Sequence, residues 1–159
     1  MDSMPNYKGH LVGGLVVYCI VLVVLIGSVP SVVTAFEWLL FALAGALFPD
    51  VDIKSKGQKY FYYLVFVIFA LLAYKGRFQA LSCCSFIIIT PMLTRHRGVF
   101  HSTWFVVSVP LVVWMAMSTL YPKLAAPFFF DTFFFIAGAL SHLFLDRGLS
   151  RMLRFRNRR

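Results

Sequence analysis

Residues 11–29 are nineteen consecutive positions without a formal charge. At about 1.5 Å per residue they cover about 28 Å, close to the roughly 30 Å of a bilayer's hydrocarbon. Lipid offers no partner for backbone N–H and C=O groups, so such a segment must close its hydrogen bonds internally, as a helix. Further apolar runs lie at 31–48, 60–74, 78–93, 99–121 and 125–145. Only 13% of residues are charged and 60% are hydrophobic. An ordinary soluble domain carries about 25% charged residues, so that class is excluded. The fold class predicted is all-α: a polytopic integral membrane bundle of about six transmembrane helices. Residues 1–146 form the bundle and 147–159 a basic tail, with no internal repeat and no long linker.

The third and fourth runs are short, at 15 and 16 residues. They either span with snorkelling ends or form a re-entrant hairpin, and both options keep the parity of the later helices. The first run is long and lacks a small-x-small cleavage site, so it is read as a retained helix rather than a cleaved signal. Cys19, Cys83 and Cys84 lie inside apolar runs, and three is an odd number. They are read as small packing residues, with neither a disulfide framework nor a thiolate metal motif.

With the N-terminus on side A, that side collects Lys8, Lys54, Lys56, Lys59, Arg95, Arg97 and the six arginines from Arg147 to Arg159. Side B holds Lys75, Arg77 and Lys123. The positive-inside rule makes side A the cytoplasm, with both termini there. The same map places the histidines and most acids. His10 starts helix 1, Asp50 and Asp52 follow helix 2, His96 and His101 flank the start of helix 5, and His142 and Asp146 end helix 6. All seven reach side A, although the charge count used only Lys and Arg. Glu37 and Asp131 fall near the opposite helix ends. There Pro30 and Pro127 suit first turns, and the helix dipole favours an acid.

Taken singly, each motif has a plain structural reading. His142 and Asp146, four apart, share a helix face and suit either a metal or a side-chain hydrogen bond. Asp50-Val51-Asp52 could cap the next segment, the Arg95–Ser102 block could be a topogenic loop, and His10 could simply sit at the interface. Together they change the balance, because ionisable groups near membrane depth are costly and default to function. Imidazole with carboxylate suits Zn²⁺ first, with Mn²⁺ or Fe²⁺ as alternatives. Seven candidates exceed one tetrahedral shell, so either some orient the others or two ions are held.

Gly9-His10, Phe48-Pro49-Asp50-Val51-Asp52, His96-Arg97-Gly98-x-x-His101-Ser102 and Ser141-His142-x-x-x-Asp146 resemble the YdjM-like membrane-bound metal-dependent hydrolases, some of them LexA-regulated. The resemblance covers nearly the whole chain in order and spacing, and the Arg-Gly block between two histidines is its most specific piece. It implies a multi-helix inner-membrane protein with a metal site drawn from these positions. The pattern also resembles, more distantly, zinc-dependent phospholipases C.

The expected chemistry is hydrolysis at the cytoplasmic face, with a phospholipid-like phosphoester as substrate. His10, Asp50, Asp52, His96, His101, His142 and Asp146 are the metal candidates. The catalytic candidates are Asp50 or Asp52 as proton acceptor, Arg97, with Arg147, as phosphate clamp, and Ser102 as a donor. Ser141 is read as helix packing. The alternative is a metal-ion transporter or a non-catalytic metal-binding membrane protein, but transporters gather ligands near the midplane. The expected partner is membrane lipid, anionic phospholipid in particular. Nucleic acid is not expected, since topology accounts for the +9 charge. The aromatic blocks Phe128–Phe130 and Phe133–Phe135 encircle a helix, and Tyr60, Tyr62, Tyr63 and Trp104 are expected at the interface.

Overall fold

The computed structural model describes residues 7–25, 27, 31–51, 55–93 and 100–147; the side chains of 86, 87, 89–93 and 147 are not among those described. Of the site candidates, Asp52, His96 and Arg97 lie outside these residues, as do Lys54, Arg95 and the tail beyond Arg147. The described elements are six α-helices: α1 (Tyr7–Val24), α2 (Val32–Leu47), α3 (Lys56–Tyr74), α4 (Phe78–Leu93), α5 (Thr103–Leu120) and α6 (Ala125–Arg147). A 3₁₀ turn, Phe48–Asp50, follows α2 and another, Pro122–Leu124, precedes α6. Five segments are long and apolar enough to cross a membrane, and α4, with 16 residues, is the shorter sixth.

The third helix differs from its apolar run. It starts at Lys56 rather than at 60 and reaches 19 residues, a full span. The Ser55 side chain accepts from the Gln58 N–H at 3.2 Å and so caps the new first turn. Lys56 and Lys59 then point to water from a helix that their polarity had masked. Helix 5 starts later than its run, at Thr103, with extended Ser102 at its N-cap.

α2 and α6 form the centre of the bundle. Of the α2 segment 61% is buried, against 17% of α1. Their axes meet backbone to backbone. A Cβ built on Gly45 would stand 2.0 Å from the carbonyl oxygen of Phe135, and one on Gly138 would stand 2.0 Å from that of Ala42. No side chain fits at either place, so two glycines on facing helices set the approach. Ala42, Ala46 and Ala139, all fully buried, extend this small-residue seam. α1 lies against the same pair, with Tyr18 donating its hydroxyl to the Ala35 carbonyl at 2.9 Å.

Beneath the helix ends at the 3₁₀ turn sits an aromatic cluster. Phe48 is fully buried and contacts Phe61, Phe100 and Phe135, with ring centroids 6.0, 5.6 and 5.2 Å away. Phe100 is also fully buried, which ties down the residue beside His101. The aromatic run of α6 does face all ways: Phe134 is buried, whereas Phe129 and Phe133 are exposed.

At the opposite end, Glu37 and Asp131 do more than answer a helix dipole. Both are 1% exposed, and both face the α3–α4 turn. Lys75 pairs with Glu37, while Arg77 bonds Glu37 Oε1 at 3.0 Å and lies 3.5 Å from Asp131 Oδ2. Gly76, at φ 67°, closes α3 between the two cations and turns both toward the acids. The dipole reading failed because pairing partners forty residues apart leave no local pattern.

Two outcomes follow from this packing. Gly45→Ala or Gly138→Ala should force α2 and α6 apart and lower the melting temperature in detergent sharply. Gly27→Ala, where a Cβ meets nothing within 4 Å, should leave it unchanged. Equal melting of all three variants would remove the seam from the account. Glu37→Gln leaves two cations without their shared acid at a nearly buried site. It should cost about 3–5 kcal/mol, read as a fall in unfolding free energy in mixed-micelle denaturation. A change below 1 kcal/mol would mean that water or lipid headgroups compensate.

Candidate metal centre

The site grows out of the α2–α6 seam. α2 ends at Leu47, so the Ala46 carbonyl is among its last four and has no continuing helix to bond. Pro49, three residues on, has no N–H with which to close a 3₁₀ bond onto it. His142 of α6 takes that position, with Nδ1 2.7 Å from the Ala46 oxygen. A carbonyl cannot donate, so Nδ1 carries the proton and donates, and Nε2 of the neutral ring keeps its lone pair. His142 is fully buried, and its Nε2 has no hydrogen-bond partner among the described residues. His10 of α1 stacks on this ring at 3.7 Å, with the planes 17° apart. One hydrogen bond and one stacked ring therefore fix the direction of a buried lone pair.

Three further side chains face that lone pair. Asp146, one turn along α6, brings Oδ2 to 3.2 Å from His142 Nε2. Asp50, on the 3₁₀ turn after α2, brings Oδ1 to 3.6 Å from it. His101, just before α5, has Nε2 3.4 Å from Asp50 Oδ1 and 3.8 Å from Asp146 Oδ2. A tetrahedral ion with ligands at about 2.0–2.1 Å separates its donor atoms by roughly 3.3–3.4 Å. The four measured separations straddle that value. Asp50, Asp146 and His101 are each about a fifth open to solvent at the side chain, so the cluster is walled by His10 and His142 and open on the other side.

The residues therefore fit a divalent cation. An orphaned imidazole nitrogen, two carboxylates and the C-terminal end of α2 all place negative potential at one point. Two ligand triads occur, His10–His142–Asp146 and Asp50–His101–His142. They share His142, and its single remaining lone pair serves one ion. His101, His142, Asp50 and Asp146 are linked in a ring by separations of 3.4, 3.6, 3.2 and 3.8 Å. His10 Nε2 instead lies 3.5 Å from Asp146 Oδ1, the carboxylate oxygen turned away from that set. This suits an orienting role, and a second ion there would have to do without His142.

The structure thus gathers His10, Asp50, His101, His142 and Asp146 at one end of the bundle. Asp52, His96 and Arg97 lie outside the described residues. Ser141, one residue before His142, donates to Gly138 within its own helix at 2.7 Å, the packing role expected of it. Ser102 is at the N-cap of α5, without a side-chain cap bond. Ala46 went unnoticed in the sequence: an alanine carbonyl leaves no trace there.

The fold and this cluster define a multi-pass membrane protein with a histidine–carboxylate metal-binding candidate at one face. The chain belongs to the YdjM inner membrane protein family, whose model matches residues 4–150. No curated protein and no solved structure matches the chain.

His142→Ala should abolish metal retention, measured as metal per protein after purification in detergent. His10→Ala should weaken affinity by about 10–100-fold without abolishing it, as loss of an orienting partner does. If His10→Ala empties the site as completely as His142→Ala, His10 belongs to the coordination set.

Proposed function

We propose that this protein is a metal-dependent hydrolase working at the cytoplasmic face of the inner membrane, on a phospholipid-like phosphoester. The observation that carries this reading is the four-donor cluster of His101, His142, Asp50 and Asp146, one side of it open to solvent. A bound divalent ion supplies an activated water and positive charge beside the scissile group. Zn²⁺ suits the imidazole–carboxylate mixture, with Mn²⁺ or Fe²⁺ next.

The residues of the chain do the remaining work. His142 and Asp146 hold the ion from α6, and Asp50 and His101 hold it from the two flanking turns. Asp52, next but one to Asp50, takes the proton from the attacking water. Arg97, in the block between His96 and His101, grips a phosphate oxygen with its planar fork, supported by Arg147. Ser102 donates to the same group. Buried His10 and His142 keep water from the lipid-facing side of the site.

Position supports an enzyme over a transporter. Transport sites lie near the midplane, often at broken helices. Here the donors come from the end of α6, the turn after α2 and the turn before α5, with His10 beside them at the start of α1. The orientation rests on the basic residues, twelve of fifteen on the site's side by the topology read from the sequence.

Turnover of phosphatidate-type and diacyl phospholipids, with metal measured on the same samples, tests the proposal. Arg97→Ala should lower turnover by about 10²-fold or more while metal is retained, because guanidinium has no lone pair for a cation and acts on developing charge. Lys at position 97 should restore only part of it. Substrate added outside inverted vesicles should be consumed, and substrate added outside right-side-out vesicles should not. No turnover of any ester by metal-loaded protein would end the hydrolase reading. The reverse vesicle preference would end the cytoplasmic one.

A further inference from the structure

The ligands of the metal centre are held to different degrees. His142 is fixed by its bond to Ala46 and by the His10 ring, and Asp146 stands one turn further along the same helix. Asp50 stands on a weaker support. It ends a single 3₁₀ turn, Phe48–Asp50, after α2 has stopped at Leu47. The Val51 N–H closes that turn on the Phe48 carbonyl at 3.2 Å. So short a helix has little ladder of its own, and its last carbonyls have no partners inside it. Contacts from outside the turn must set where the Asp50 carboxylate points.

The opening of α3 supplies them. Gln58 Nε2 donates to the Val51 carbonyl at 2.9 Å. Phe61, three residues further on and on the same helix face, packs its ring against that of Phe48, centroids 6.0 Å apart. Phe48 and Val51 are themselves three apart, and Asp50 lies between them. Two points of one helix face therefore grip the two flanks of the ligand, one through rings and one through a hydrogen bond. The side chains of Phe48 and Val51 are both buried, which leaves the turn little freedom between the grips.

Gln58 is the third residue of α3, and its backbone N–H bonds Ser55 Oγ at 3.2 Å. Ser55-x-x-Gln58 is the pattern of a capping box, in which the side-chain oxygen of the third residue turns back to the cap's N–H. Glutamate serves that purpose as well as glutamine. Of the two, only glutamine also brings N–H donors, and here one of them reaches Val51. The residue type at position 58 thus answers to the Asp50 turn and not to the helix start alone.

We propose that Gln58 is a positioning residue of the metal centre, holding the Val51 carbonyl so that Asp50 presents Oδ1 to His101 and His142. The inference rests on the metal-binding reading of the cluster and is independent of the reaction catalysed there. Asp50 Oδ1 lies 3.4 Å from His101 Nε2 and 3.6 Å from His142 Nε2. A small rotation of the turn would carry it away from an ion held by those imidazoles, as loss of a ligand's outer partner does elsewhere.

The test is Co²⁺ titration of the purified full chain in detergent. The visible absorption of bound Co²⁺ and the melting temperature of the metal-free protein are measured on the same samples. Four-coordinate Co²⁺ absorbs strongly and six-coordinate Co²⁺ weakly, so the spectrum reports the ligand set. Gln58→Glu keeps the length and the capping box and removes only the donor; Gln58→Met removes both. Each should weaken Co²⁺ binding by about 10–100-fold and alter the spectrum. The metal-free Gln58→Glu protein should melt as wild type. Its added negative charge by itself favours a cation, so a loss there reads the missing donor. Tyr60→Leu removes the stack of Tyr60 on Tyr7, centroids 5.1 Å apart, and loosens the same end of α3 without touching Val51. It should leave Co²⁺ affinity and spectrum unchanged. Wild-type affinity and spectrum in Gln58→Glu would overturn the proposal, because capping would then be all that the residue does. So would a loss of affinity in Tyr60→Leu as large as in Gln58→Met, or a metal-free Gln58→Glu protein that melts well below wild type. A wild-type chain that binds no Co²⁺ would remove the metal centre itself, a different failure from one confined to position 58.

Discussion

Everything at the functional end depends on how closely α2 and α6 approach. Gly45 and Gly138 let each backbone rest on the other, and that distance carries His142 to the Ala46 carbonyl. Within lipid there is no hydrophobic gain in bringing two helices together, so tight packing and hydrogen bonds must do it. The bond does two tasks at once. It satisfies an end-of-helix carbonyl, and it commits one imidazole nitrogen so that the other is a lone-pair donor. Stacking by His10 then removes the remaining freedom of the ring. A well-aimed ligand needs such support, since small errors of placement undo both metal affinity and catalysis.

The two ends of the bundle handle buried charge in different ways. At the far end, Glu37 and Asp131 are matched by Lys75 and Arg77, acids and bases in equal number. At the site end, Asp50 and Asp146 face histidines, and no Lys or Arg among the described residues is paired with them. In the first arrangement each acid has a described cation within 4 Å. Among the described residues, the second is short of positive charge by an amount that a divalent ion supplies. This difference separates a structural ion network from a ligand site more clearly than residue composition does, because each end holds two carboxylates among the described residues.

Much of this was legible in the chain, for physical reasons. Lipid forces helices, so uninterrupted apolar runs gave their number and order. Parity then brought His10, Asp50, His101, His142 and Asp146 to one face before any contact was known. The i,i+4 step from His142 to Asp146 needed only the helical period. What stayed hidden is long-range. Glycines in an apolar run look alike, and nothing local marks Gly45 and Gly138 as facing each other. Glu37 and Asp131 looked like dipole partners because their cations lie in a distant turn. The start of α3 was hidden by two lysines in its first turn, where hydropathy fails and the Ser55 cap decides. The division of labour between His10 and the other ligands rests on ångström distances that no spacing rule encodes.

The spacing of Gly138, His142 and Asp146 on α6 has a consequence for how this protein can change over evolutionary time. Between Gly138, which touches α2, and Asp146, which faces the cluster, the helix acts as a ruler with two marks. Removing or adding one residue there turns everything beyond it by about 100°. His142 would swing away from Ala46 while Gly138 stayed in place, and no side-chain substitution elsewhere could swing it back. Phe144, an exposed position of the same stretch, is open to exchange among apolar residues. Variation in this segment is therefore free in identity on one face and forbidden in length, so its relatives should differ in letters and agree in count.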